Sequence, residues 1–339
     1  MLKLINDNRK IILFNLATFL ILALMVEGLI YLGLRNPSMI PDSVLPVFRR
    51  YYQYSDRQII QVSSCGRYDR ELFYMLKTGT CVFENREFRV TNEINSLGLR
   101  DDESSLESPE IVFLGDSYTL GWGVPGTDAF PSVFQELARR KVLNAGMSSF
   151  GTAREMILLD RLPIDKTEIL VIQFHSNDHS ENEQFIANDF SLPIRTEYSY
   201  DSLASAIQRR QRYFLFKHLY GISKNLGQQL FAGVRGEKGE PGEAEQAELF
   251  LKILASRRDK LENKQIFAFK TDDFDKLGDK FADAVDSLAR KNEYEWLNIT
   301  TVRINNLLNE DDYFTLDDHI NSSGHRKIAN VIHEKIANP

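Results

Sequence analysis

The chain has 339 residues, 26% charged and 43% hydrophobic, with a formal net charge of −7. That balance fits an ordinary globular protein and gives no reason to expect a nucleic-acid partner, which calls for a basic face. It holds two cysteines, no zinc spacing of Cys and His, no P-loop and no GxGxxG after a strand, so no metal or organic cofactor is expected.

The N-terminus is different in kind. From Ile11 to Leu34 the sequence reads IILFNLATFLILALMVEGLIYLGL, with Asn15 and Glu27 its only strongly polar residues. A helix of that length reaches roughly 36 Å at about 1.5 Å per residue, enough for a hydrocarbon core of about 30 Å. The rival reading is a cleaved signal peptide, whose apolar region is shorter and precedes a small-x-small site. Here the flank is LGLRNPSM, which favours a retained single-pass anchor over residues 11–34. Arg9 and Lys10 abut the span, although Arg35, Arg49 and Arg50 follow it. The expectation is a cytoplasmic N-terminus and an exported C-terminal domain, periplasmic or extracellular.

Residues 1–35 are read as N-terminus and anchor, and 36–108 as a membrane-proximal extension without strong periodicity. Cys65 and Cys81 both fall in that extension. A disulfide between them suits an oxidising compartment, and closing such a loop is worth about 3 kcal/mol in the chain-entropy model. The alternative is two buried free thiols. A polar stretch, TNEINSLGLRDDESSLESPE, then marks a boundary before a third segment, residues 109–339.

In that segment short apolar runs alternate with helical patterns. Strands are predicted over 111–115, 142–146, 168–175, 265–270 and 295–302, and helices over 129–141, 153–162, 274–291 and 324–336. Residues 180–262 form a mainly helical insertion, interrupted by GVRGEKGEPGEAE, read as a mobile loop. Continuous apolar runs between helices indicate a parallel sheet covered on both faces. The fold class is therefore α/β: a three-layer, flavodoxin-like five-stranded parallel sheet with a helical insertion and an N-terminal transmembrane helix. In such sheets ligands bind beyond the carboxyl ends of the strands. That rim would carry Gly115-Asp116-Ser117, residues 146–152 and His175-Ser176-Asn177-Asp178.

Near the C-terminus stands YFTLDDHINSSGHRKIA, in which Asp317 and Asp318 immediately precede His319. A serine hydroxyl becomes a useful nucleophile when a base takes its proton, and a carboxylate fixes that base's tautomer. Asn177 can donate its amide to a developing oxyanion. Position 119 is threonine, so the GxSxG elbow of α/β-hydrolases is absent.

Four blocks, FLGDSYTLGWGV, VLNAGMSSFGTAREM, QFHSNDHSEN and DDHINSSGHRKIA, together resemble the SGNH hydrolases of the GDSL esterase superfamily, in their membrane-anchored bacterial branch. INSLGLRDDE is similar to that branch's lead-in. The resemblance covers roughly residues 90–179 and 313–336. It implies the SGNH hydrolase fold, with Ser117 as nucleophile, His319 as base and Asp317 as the acid at D-x-H spacing, Asp318 being the second candidate. It implies an oxyanion hole of Ser117 N–H, Ser149 N–H and the Asn177 side chain. Two departures stand out: Ser149 occupies the register of the family's oxyanion glycine, and His175 stands where a glycine is usual. The implied activity is that of a serine esterase hydrolysing or transferring an acyl group, acetyl foremost, on an acylated envelope glycan or small molecule, with a membrane as its other partner. The alternative is a non-catalytic envelope protein that binds a glycan or a protein partner on the same fold.

Overall fold

The computed structural model describes residues 2–232, 241–272, 278–304 and 306–338. In chain order its main elements are α1 (Leu2–Arg35), α2 (Leu45–Tyr51), β1 (Gly66–Asp69), β2 (Phe73–Leu76), β3 (Gly79–Glu84), β4 (Arg89–Ile94), β5 (Ile111–Leu114), α3 (Ser117–Leu120), α4 (Phe130–Ala138), β6 (Val142–Asn144), α5 (Thr152–Leu159), β7 (Ile169–His175), α6 (His179–Ala187), α7 (Glu197–Gln211), α8 (Lys217–Ala232), α9 (Glu243–Ala255), α10 (Arg258–Leu261), β8 (Gln265–Thr271), α11 (Lys280–Leu288), β9 (Ile299–Thr301) and α12 (Ser322–Ala337).

These residues form two compact units. The first holds, of the described residues, 2–57, 208–232 and 315–317; the second holds 58–207, 241–272, 278–304, 306–314 and 318–338. Residues 36–57 and 208–232 thus fall with the apolar helix, and 58–108 fall with the sheet.

In the first unit, Arg9–Arg35 of α1 is long and apolar enough to cross a bilayer. Ile30 and Leu34 at its end pack with Ile40, Leu45, Tyr51, Tyr52 and Leu316, and Leu219 and Ile222 of α8 join this cluster.

The second unit is built on five parallel strands in the order β6-β5-β7-β8-β9. Counted along the sheet, the order is 2-1-3-4-5, the flavodoxin arrangement expected from the alternation of runs. Period-two alternation divides each strand between two layers. Ile111 and Phe113 pack with Phe130 and Phe134 of α4 and Ile328 and Ile332 of α12. Val112 and Leu114 face the opposite layer, where Met156 of α5, Phe250 of α9 and Phe281 of α11 lie. Both faces are buried, which is why β5 reads as an unbroken apolar run and β6 as two apolar residues before a buried Asn144.

Several boundaries differ from expectation. The last strand is confined to Ile299–Thr301. The region read as aperiodic contains two antiparallel hairpins, β1–β2 and β3–β4. Their signal is obscured because β2 is buried throughout, and β4 alternates with a buried asparagine, Asn92, between Val90 and Ile94. Cys65, just before β1, and Cys81, in β3, form a disulfide with Cα atoms 5.6 Å apart. Most of the expected glycine-rich loop, and the start of the helix expected from 274, lie outside the described residues.

Candidate active site

β5 drives four buried apolar residues to the rim and stops at Gly115, whose φ is +155°. A Cβ there would lie 2.1 Å from Thr119 Oγ1 and 2.5 Å from Gln173 Oε1, so the turn requires glycine. Asp116 caps α3, its carboxylate accepting the Tyr118 N–H at 2.9 Å. Burial pushes this carboxyl above its ordinary range. Gln173, from the neighbouring strand β7, accepts the Asp116 N–H at 3.0 Å and the Thr119 hydroxyl at 3.1 Å, and donates to Thr271 Oγ1 at 2.7 Å. Arg100 supports the far side of the same turn, donating to the carbonyls of Leu120 at 3.1 Å and Val124 at 2.6 Å. Its burial lowers the guanidinium to about 10. Ser117 is therefore the first residue of a short helix clamped from two directions.

Ser117 Oγ lies 2.7 Å from His319 Nε2. The imidazole comes from a tight loop closed by the antiparallel Tyr313–Ile320 bridge and by the Phe314 N–H donating to the His319 carbonyl at 3.0 Å. Trp122 stacks on the ring, with centroids 4.8 Å apart, and Tyr118 lies 5.0 Å away. The Tyr118 hydroxyl donates to the Asp318 carbonyl at 2.7 Å, tying the His319 loop to α3. Asp318 Oδ1 is 3.0 Å from His319 Nδ1. Residues 315–319 are bends and not an extended run, so strand alternation does not decide which aspartate shares a side with His319.

Asp317 belongs to the first compact unit, where its side chain is fully buried. The Tyr52 hydroxyl donates to its Oδ2 at 2.8 Å, and Arg57 Nη1 stands 3.5 Å from Oδ1. Arg49 donates to the Thr315 carbonyl two residues upstream at 2.7 Å.

The other two rim loops meet at a cavity of about 290 Å³ whose lining includes Ser149, Arg154, Asn177 and Glu181. Ser149 has φ +59°, a left-handed backbone that favours glycine. Side chains hold it there: Gln61 Nε2 donates to its hydroxyl at 3.1 Å and Arg154 Nη2 to its carbonyl at 2.7 Å. Tyr74 donates to the preceding carbonyl, Ser148, at 2.7 Å. Glu181 accepts the Gly151 N–H at 3.1 Å and pairs with Arg154. The serine is thus accommodated in the glycine-like conformation instead of changing it.

Asn177 is exposed in a single 3₁₀ turn, and its N–H donates to His175 Nδ1 at 3.1 Å. His175 Nε2 stands 3.6 Å from Asp272. The histidine at the usual glycine position therefore caps the turn that presents Asn177. Asp178 faces inward, accepting from Thr152 Oγ1 at 3.2 Å, and desolvation raises its carboxyl well above the ordinary range.

The sequence did not announce Gln173, Arg154, Gln61 or Trp122. A glutamine inside a strand buried on both faces was the one available signal, since burying an amide demands partners. The lead-in motif also acquires a reason: Arg100 braces the turn that carries Ser117, and Asp101 accepts the Asn144 N–H at 2.8 Å at the end of β6.

No family model matches the chain, and no curated protein does. Among solved structures it is similar to a member of the lipolytic protein G-D-S-L family from Veillonella parvula DSM 2008, with 11% identity, a TM-score of 0.40, and 68% of this chain and 98% of that one covered. It is similar to a carbohydrate esterase family 2 enzyme with a carbohydrate binding domain from Corynascus thermopiles (Myceliophthora fergusii), at 14% identity and TM-score 0.39, over 68% and 66% of the two chains. The third is a family two carbohydrate esterase from Clostridium thermocellum in complex with cellohexaose, at 10% identity and TM-score 0.39, over 67% and 63%. G-D-S-L lipolytic proteins and carbohydrate esterases are thus among the solved structures to which this chain is similar.

Proposed function

We propose that the chain is a serine ester hydrolase of SGNH type that works through an acyl-enzyme. The observation that carries this reading is the 2.7 Å contact between Ser117 Oγ and His319 Nε2 at the carboxyl rim of a parallel sheet. In this mechanism His319 takes the hydroxyl proton as Ser117 attacks the ester carbonyl, and returns it to the departing alcohol. The tetrahedral oxyanion is held by the N–H groups of Ser117 and Ser149 and by the Asn177 amide. Water or a second hydroxyl then resolves the acyl-enzyme. Asp317 serves as the acid that supports the imidazole. Its complete burial and its two donors, Tyr52 and Arg57, suit a carboxylate that must keep one orientation. Asp318, a quarter exposed at 3.0 Å from Nδ1, is the competing carboxylate.

The substrate class in this reading is an acylated envelope glycan, with acetyl as the acyl group, and the catalytic domain lies outside a membrane crossed by α1. The motif resemblance supports the former. The apolar length of α1 and the Cys65–Cys81 disulfide support the latter.

A fluorescent fluorophosphonate and a short-chain aryl acetate test the reading together. Wild type should be labelled and hydrolyse the acetate; Ser117→Ala should do neither while keeping its circular dichroism. Equal activity in the two proteins removes Ser117 as nucleophile. A wild-type serine inert to both reagents supports the glycan- or protein-binding alternative instead.

A further inference from the structure

We infer that residues 212–226 form a second membrane contact, lying in the interfacial layer of the bilayer beside the anchor. This inference rests on the reading of α1 as a transmembrane helix. It begins with Glu27, an acid in the apolar run that is nonetheless buried, at 4% exposure. An ionisable residue in a span needs partners. Here they are the first N–H groups of α8 and one hydroxyl: Glu27 accepts from Leu219 at 2.8 Å, from His218 at 3.2 Å and from the Tyr213 hydroxyl at 3.4 Å. The acid thus occupies the positive end of a 16-residue helix and fastens it to the span. Close packing secures the joint, since a Cβ on Gly221 would meet the Tyr51 ring at 2.3 Å.

The depth of that joint follows from helix geometry. Glu27 lies 16 residues beyond Ile11, about 24 Å along a core of about 30 Å. Whatever is fastened to Glu27 therefore sits near the outer boundary of the hydrocarbon. The chain entering α8 carries Tyr213, Phe214 and Leu215 in succession, 60%, 54% and 59% exposed, and Tyr220 follows at 60%. Arg209 and Arg212, also exposed, precede them. Water is a poor neighbour for three consecutive large apolar side chains. Aromatic residues at the headgroup level, flanked by arginines, are what a bilayer interface stabilises. One face of α8 is already used, with Leu219 and Ile222 packed into the first unit's cluster. The exposed aromatic run is contiguous with the span and shares its solvent.

The test uses the full chain in lipid nanodiscs, without reductant so that Cys65 and Cys81 stay bonded. A single environment-sensitive fluorophore is attached at Phe214→Cys, at Tyr220→Cys as a second site, and at Leu20→Cys in mid-span. Lipids carry a nitroxide near the headgroup or near the chain end, and iodide is the aqueous quencher. The expected result is deep quenching at 20, and at 214 and 220 quenching about twofold stronger from the headgroup nitroxide than from the chain-end one, with iodide excluded. A label at 20 that is deep while 214 and 220 are open to iodide overturns the interfacial contact and leaves the anchor standing. A label at 20 that no lipid nitroxide quenches overturns the anchor reading, and the contact with it.

Discussion

Ser149 and Asn177 are read as contributing to the same oxyanion hole by different atoms, and substitution separates them. Ser149 would supply a backbone N–H, from a left-handed conformation that costs a non-glycine residue about 1–2 kcal/mol. Ser149→Gly keeps the N–H and relieves the backbone, while losing the Gln61 contact; kcat should stay within about threefold and Tm should not fall. Asn177→Ala deletes a side-chain donor and should lower kcat by about 10²–10³. Kinetics on an aryl acetate check both, and a loss at Asn177 confined to KM would make it a substrate-binding residue. The two aspartates are told apart in the same way. Asp317→Asn should cost about 10²–10⁴ in kcat, because an amide can favour the wrong imidazole tautomer. Asp318→Asn should cost far less, since water can reach that partly exposed position. The opposite ranking hands the acid's role to Asp318. Local sequence named both carboxylates, but their order in the chain is silent on orientation, because 315–319 bends and strand alternation does not apply to it.

At the scale of elements, α12 and α4 pack together under β5, and His325 lies between them. Its Nδ1 accepts the Phe130 N–H at 3.2 Å, and its ring stacks on Phe130. Burial, aided by the charges of Arg100 and His319, depresses its pKa from 6.5 to about 3. In the unfolded chain this imidazole takes up a proton below 6.5, whereas the folded protein refuses it until about 3. Its contribution to stability is therefore complete above pH 6.5 and is lost as pH falls toward 3. Thermal melts across that window should show a steeper acid decline in wild type than in His325→Gln, whose amide oxygen preserves an acceptor for Phe130. Parallel curves would mean that His325 does not titrate in this way. Sequence placed this histidine in the first turn of the last helix. Its burial against Phe130, 195 residues away, belongs to the packing of two helices that no local period records.

For the whole molecule, the apolar length of α1 and the Cys65–Cys81 disulfide bear jointly on the proposed export. Unreduced, denatured protein taken from its native membrane should give no maleimide labelling, because Cys65 and Cys81 are the chain's only cysteines and are bonded. Reduction should lower unfolding stability by about 3 kcal/mol, the loop-closure value. Two labelled thiols would contradict the export reading. What the amino-acid sequence determined alone is what short-range periodicity and composition carry: an apolar run long enough for a bilayer, buried strands as apolar runs, their parallel order by alternation with helices, and Ser117 and His319 as motif residues. What only the tertiary structure decided are contacts between residues far apart in the chain. Gln173 locks the Asp116 turn across 57 positions, Gln61 holds Ser149 across 88, and Glu27 caps a helix 191 residues away. A hydrogen bond depends on two groups meeting within about 3 Å, and nothing in the sequence near either partner specifies where the other will be.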